Sequence, residues 1–442
     1  MQTEEELLLA GEELARDLEA EGLEEAQRPG QSIAPLGRLQ ALLYAVGGVS
    51  GGLVFTMMNN ALPLFLLAYT MPLGLPAFLN PGGPVPAALV GLLTNERSLF
   101  GGLIQPIIGH LSDRTHSKLG KRGPFLLAGG FGTALCLAIL ALQPPFWIMV
   151  AAVTLTGVFL FVAVGPYSTL LADITPYRQR GQMGSWIAIA GVAGALTFTL
   201  LSIGLWDKAR GWVFLITAVF VAASLVVVAF GVREPATQRS YKGEHTSARA
   251  LVVALLAHKP LALYIVAMAV YWLGAGAAAP FITRFGVKEL GVSEETSFLL
   301  LLVLVISTPV GALVWGKLAD QVGRKRVLQP ALVLFALAAL AGSQVREIGQ
   351  AIPVIVLIGL GNAAPTALNL SMLADLVPKK QAGAYMGYAN MVWSVAQPVG
   401  AFASGMLIDV TQSYRGVFIL AAICMIIAAL ILRRVPDHAP ED

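Results

Sequence analysis

Two kinds of residue in this chain can do chemistry. The first is a charged pair, Glu96 and Arg97, preceded by Asn95 and set inside an otherwise apolar run. Ionisable groups in such runs are costly and mark ion or solute pathways by default. Neighbouring helical residues point about 100° apart, so the two cannot face one point; either Glu96 faces a cavity and Arg97 a neighbouring helix, or the reverse. The second is a scatter of amides and aromatics in apolar stretches: Asn59, Asn60, Tyr271, Trp272, Asn362, Asn369, Asn390, Trp393 and Gln397. Amides and indoles hydrogen-bond hydroxyls and aromatic faces stack on sugar rings, although each residue singly is also a common interhelical contact. No HExxH, nucleophile–base pair or phosphate-binding glycine loop occurs in a suitable context. The sequence therefore points away from an enzyme, and no cofactor or metal site is expected.

The elements that must position these residues follow from composition. Of 442 residues, 56% are hydrophobic and 12% charged, against about a quarter charged in a soluble domain. A bilayer-spanning helix needs roughly 20 apolar residues, and backbone satisfaction in hydrocarbon allows only helices or closed barrels. Continuous rather than alternating apolar runs select helices. The expectation is an all-α polytopic membrane protein with 12 spans, near 38–68, 86–112, 123–143, 146–173, 183–206, 211–232, 260–283, 295–318, 327–343, 350–377, 383–409 and 414–432.

Basic residues orient the spans. With the first span entering from the cytoplasm, 22 of the 29 Lys and Arg fall on the cytoplasmic side; Lys208, Arg210, Arg284, Lys288, Arg346 and Arg415 fall outside, and Arg97 within a span. Both termini are then cytoplasmic in a plasma (inner) membrane protein. The net charge of +3 is a sum over compartments and implies no nucleic-acid partner. Residues 1–35 form an acidic cytoplasmic tail without the features of a signal peptide, read as a solvated helix or tether, or else as a lid or partner-binding helix. Cys136 and Cys424 lie in apolar spans and read as packing residues.

The chain repeats itself. "GHLSDRTHSKLGKR" from Gly109 returns as "GKLADQVGRKR" from Gly316, matching Asp113 to Asp320; "LLADITPYRQRGQMG" returns as "MLADLVPKKQAGAYMG", matching Asp173 to Asp375. Two six-helix bundles, 36–232 and 259–434, are expected, joined by a polar cytoplasmic linker over 233–258 and followed by a tail over 435–442. A carboxylate at a helix end can face the positive end of a neighbouring helix, and basic residues beside it can pair with acids such as Asp173. Gly109, Asp113, Arg114, Arg122, Asp173, Gly316, Asp320, Arg324 and Asp375 are accordingly candidates for a conformational latch that closes the cytoplasmic ends. The same basic loops also set topology, and both roles can hold at once.

With these motifs the chain resembles the major facilitator superfamily of transporters over its length after the tail. "IQPIIG", "SDRTHSKLGKRGPF" and "VGPYSTLLAD" resemble the sucrose-transporter and glycoside–pentoside–hexuronide symporter branch, and "NNALPLF" resembles an Asn–x–x–x–Pro of related bacterial members. The resemblance implies alternating access, a midplane solute site and a monomer in the lipid bilayer. It departs at the coupling sites, where the branch's aspartates fall at Gly101, Gln105 and Gly157. All five histidines lie on the cytoplasmic side. Glu96 is then the proton-coupling residue, with Arg97 beside it, or the protein is uncoupled. The expected activity is secondary transport of a small polar solute, foremost a sugar or glycoside bound by Asn59, Asn60, Tyr271, Trp272, Asn362, Trp393 and Gln397. The alternatives are an exporter of amphipathic drugs or lipids, an uncoupled facilitator, and a transport-inactive sensor.

Overall fold

The computed structural model describes residues 36–76, 80–115, 117–175, 177–232, 259–376 and 382–435; within helices, the side chains of 96–100 and 382–388, among others, lie outside the described set. The acidic tail over 1–35, the 233–258 linker and residues 436–442 also lie outside it. The described residues are almost entirely helical: α1 (Arg38–Ala68), α2 (Ala87–Arg114), α3 (Gly123–Ala141), α4 (Phe146–Ile174), α5 and α6 in one run (Tyr177–Gly231), α7 (Lys259–Glu289), α8 (Glu294–Val322), α9 (Arg324–Gly342), α10 (Ile348–Leu376), α11 (Ala382–Thr411) and α12 (Arg415–Arg433).

Ten described helices are long and apolar enough to cross a membrane. The 182–231 run counts once among them, yet 50 residues at 1.5 Å each reach about 75 Å, over twice a hydrocarbon core of about 30 Å. It breaks at Ala209, with φ −153° and ψ 53°, beside the charges of Asp207, Lys208 and Arg210. The two spans expected at 183–206 and 211–232 are thus joined without a loop. Helix α2, which carries Glu96 and Arg97, is not among the ten. With α2 counted and the long run divided, twelve crossings result.

A second correction concerns α7. The span expected to end at 283 continues through a 3-10 turn at Ala279–Phe281 and a helix at Ile282–Glu289. Arg284, read as a loop residue, is 2% exposed inside the bundle.

Helices α1–α6 and α7–α12 pack as two repeated halves. Lipid supplies no hydrophobic drive between helices, so close approach relies on small residues. In the first half α1 lies against α5, where a Cβ on Gly52 would sit 1.9 Å from the Gly191 carbonyl oxygen. In the second, α11 lies against α7, where a Cβ on Gly400 would sit 1.9 Å from the Leu273 carbonyl oxygen. Paired polar groups recur as well. Tyr44 and Tyr167 stack at 4.6 Å and exchange hydroxyl-to-carbonyl bonds of 2.6 and 2.9 Å between α1 and α4. At the related place the Tyr264 hydroxyl donates to the backbone and side-chain oxygens of Asn369, from α7 to α10.

Candidate functional site

The central polar residues begin on α1. Pro63 has no N–H to continue the helical ladder and its ring crowds the carbonyl one turn back. The helix responds by widening: Met57–Ala61 is π-helical, with the Leu62 N–H donating to the Met57 carbonyl. Such single-turn bulges gather at functional sites, and this one holds Asn59 and Asn60. Asn60 is 7% exposed; its amide nitrogen donates to the Thr56 carbonyl at 3.3 Å, while its amide oxygen is buried without a protein partner.

Most of the other buried polar candidates are already paired inside the second half. The Tyr271 hydroxyl donates to Asn362 Oδ1 at 2.6 Å and the Trp393 indole to the Ile265 carbonyl at 3.4 Å. Asn390 is exposed and Gln397 half-buried, with the Gln397 backbone against Gly276. Trp272, edge-on to Tyr271 at 5.1 Å, differs: its indole N–H is buried with no partner. Thr283, beyond the 3-10 turn of α7, touches α1. Glu96 and Arg97 lie on α2; their side chains are outside the described set.

The two ends of the bundle are built differently. At the basic end, Arg122, with a side chain 7% exposed, reaches Asp113 at 2.7 Å and Asp173 at 3.3 Å and donates to Ser112 Oγ at 2.7 Å. In the second half Arg324 pairs with Asp375 and donates to the Ser371 carbonyl at 3.0 Å. Both copies of the repeated loop turn on a left-handed glycine, Gly120 at φ 82° and Gly323 at φ 93°. The structure thus gathers Asp113, Arg122 and Asp173 in one cluster and Arg324 and Asp375 in another. Asp320 has no ion-pair partner among the described residues, and Arg114 is exposed at the end of α2. A Cβ on Gly109 or Gly316 would meet nothing within 4 Å.

At the opposite end polar groups cross between the halves. The Asp409 carboxylate of α11 accepts from the backbone N–H of Ala87 and Ala88 at 2.7 and 2.9 Å, at the positive end of α2. Glu294 of α8 accepts from the Trp206 indole at 2.6 Å and Arg210 at 2.7 Å. From α7, Thr283 donates to the Asn60 carbonyl at 2.7 Å and Arg284 Nε to the Pro63 carbonyl at 2.6 Å. Helices α2 and α11 touch backbone to backbone here: a Cβ on Gly91 would fall 2.2 Å from the Ala401 oxygen, and one on Gly405 2.4 Å from that of Ala87. Every described hydrogen bond or ion pair between the halves lies at this end.

A model of the Major Facilitator Superfamily matches residues 44–310 and 266–442. The chain belongs to that superfamily. Among its relatives are Multidrug resistance protein MdtG of Dickeya zeae (strain Ech586), 26% identical over 347 residues, 77% of this chain and 82% of the relative, and MdtG of Escherichia coli (strain SMS-3-5 / SECEC), 26% identical over 342 residues, 75% and 80%. The nucleoside transporter NupG, solved as a single-site mutant, superposes with a TM-score of 0.72 at 12% identity, covering 90% of this chain and all of that one. A bacterial homologue of the human lysosomal transporter Spinster, inward-facing and occupied, gives 0.66 at 12% identity, covering 90% and 95%. These structural likenesses establish the major facilitator fold.

Within that fold this superfamily member is a multi-pass membrane transporter. The residues that join its halves, Arg284, Glu294, Asp409, Trp206 and Arg210, were not legible as a group. All lie near span ends, where charges are ordinary. The available signal was the run from Pro280 to Glu289, which carries a helical pattern past the presumed end of α7 and takes Arg284 indoors.

Proposed function

We propose that this transporter exports amphipathic, mainly apolar compounds by alternating access. The observation that carries this reading is the pairing of the buried polar candidates. Tyr271, Asn362, Asn369 and Trp393 take part in interhelical bonds; of the candidates, Asn60 Oδ1 and Trp272 Nε1 are buried without partners, and Asn390 and Gln397 are exposed and half-buried. A polyol needs many free partners, because each unmet buried polar group costs about 1–3 kcal/mol. A largely apolar solute with one or two polar groups matches what is left. The relatives named as multidrug resistance proteins support the same class, and the sugar reading now rests on the motif resemblance alone.

The basic end is assigned to the cytoplasm by the distribution of Lys and Arg, with both termini inside an inner membrane. On that orientation the molecule is closed outside, the conformation named for the Spinster homologue. The clusters of Arg122 and Arg324 then brace each half while Gly109 and Gly316 face the space into which the other half closes. Energy coupling is assigned to protons through Glu96, beside Arg97, since no histidine is placed mid-span.

Proteoliposomes test both parts. Expected is transport of the lipophilic dye rhodamine 6G driven by a pH gradient, with no accumulation of sucrose; sucrose accumulation without dye transport reverses the assignment. Glu96→Gln is expected to abolish gradient-driven accumulation and spare counterflow. Full accumulation in that variant removes Glu96 from the coupling step.

A further inference from the structure

The bulge on α1 is held from the other half of the molecule. Pro63 offers no N–H to the carbonyl of Asn59 in an α-helical register or of Met58 in a π-helical one, so the ladder here is short of donors. Consecutive residues of α7 reach this stretch: Thr283 Oγ1 bonds the Asn60 carbonyl and Arg284 Nε the Pro63 carbonyl. Thr283 is 0% and Arg284 2% exposed, so water does not compete for these carbonyls. Both bonds cross between the halves, and both must break when the halves part at this end. A π turn is in effect one inserted residue, and losing or moving it turns neighbouring side chains by about 100°.

We infer that Thr283 and Arg284 are positioning residues for solute recognition, holding the α1 bulge and with it the amides of Asn59 and Asn60 in the binding register only while the opposite ends are closed. The inference rests on the reading of Asn60 as a solute contact. It gives the transporter a reason to bind differently in its two states, since a solute shifts a conformational equilibrium only by its differential affinity. It also narrows the solute's polar group. Asn60 Oδ1 and Arg284 Nη2 are buried acceptor and donor without partners on the same crossing. The group taken therefore donates to Asn60 or accepts from Arg284, as an N–H or an ester carbonyl does.

Thr283 offers the test, because Val is close in shape and lacks the hydroxyl while Ser restores it. In full-length protein in nanodiscs, Thr283→Val is expected to raise hydrogen exchange of the amides over 57–66 about fivefold, the equivalent of one hydrogen bond, and Thr283→Ser to stay at the wild-type rate. In proteoliposomes with rhodamine 6G, Thr283→Val raises KM about fivefold with kcat unchanged, and combining it with Asn60→Leu costs nothing beyond Asn60→Leu alone. Unchanged exchange over 57–66 in Thr283→Val, or KM losses that multiply in the double variant, overturns the inference. If the wild type does not transport the dye, the export reading fails, and the exchange measurement alone decides whether Thr283 holds the bulge.

Discussion

At the basic end of the bundle, charges pair with charges inside one half: Arg122 with Asp113 and Asp173, Arg324 with Asp375. At the opposite end, side chains of the second half reach across, largely to backbone of the first. Asp409 takes two N–H groups, Thr283 and Arg284 give to two carbonyls, and Glu294 alone takes side-chain donors, Trp206 and Arg210. The difference separates two jobs. Clusters within a half survive when the halves swing apart and so add rigidity to each. Under the proposed alternating access, crossing bonds exist in one state only, so their free energy biases the equilibrium between states. Aiming at backbone makes the closed end depend on where α1 and α2 lie and little on which side chains they carry.

If this division holds, the largest effect belongs to Arg122. Arg122→Ala leaves two carboxylates without their shared cation and is expected to cost about 3 kcal/mol, the low end for breaking a buried pair because both acids are half-exposed. Thermal unfolding measures it, and distances between labels at the opposite end, on Leu73 and Gln344, are expected not to move. A change in those distances breaks the comparison. Asp409→Ala is the converse case. It removes two charge-assisted bonds at about 1.5 kcal/mol or more apiece, so the same labels are expected to separate in a new population, with little change in unfolding. No new population would mean that the glycine contact of α2 and α11 and the remaining crossing bonds hold the end closed without Asp409.

Smaller effects sharpen the contrast between the two copies of the repeated loop. Asp375→Asn weakens a pair in which both side chains are more than a third exposed, Arg324 at 37% and Asp375 at 47%, and is expected to cost under about 1 kcal/mol. Asp320→Asn, at a position with no ion-pair partner here, is expected to stay within about 0.5 kcal/mol of wild type in stability. It also leaves the distance between labels at Lys118 and Gln321 unchanged in this state. A drop in stability as large as that of Arg122→Ala would show that Asp320 is engaged as Asp113 is.

What the sequence determined by itself is the part governed by local rules. Hydrocarbon forces a backbone to satisfy its own hydrogen bonds, so runs of apolar residues read directly as helices, and the span of α1 at 38–68 agrees with the helix observed. The repeat was equally plain, because matched Gly, Asp and Arg letters lie at matched loop positions. Tertiary structure alone decided which polar groups remain available. Tyr271 and Trp272 are neighbours on α7 with equal claims in the sequence. One is satisfied by Asn362 and the other is not, because 100° of helical rotation turns them toward different neighbours. Arg284 shows the same limit. Its type and place near a span end read as a loop cation, and only the packing of α7 across Pro63 of α1 makes it a buried donor between the halves, since a contact between residues some two hundred positions apart has no local period from which to be read.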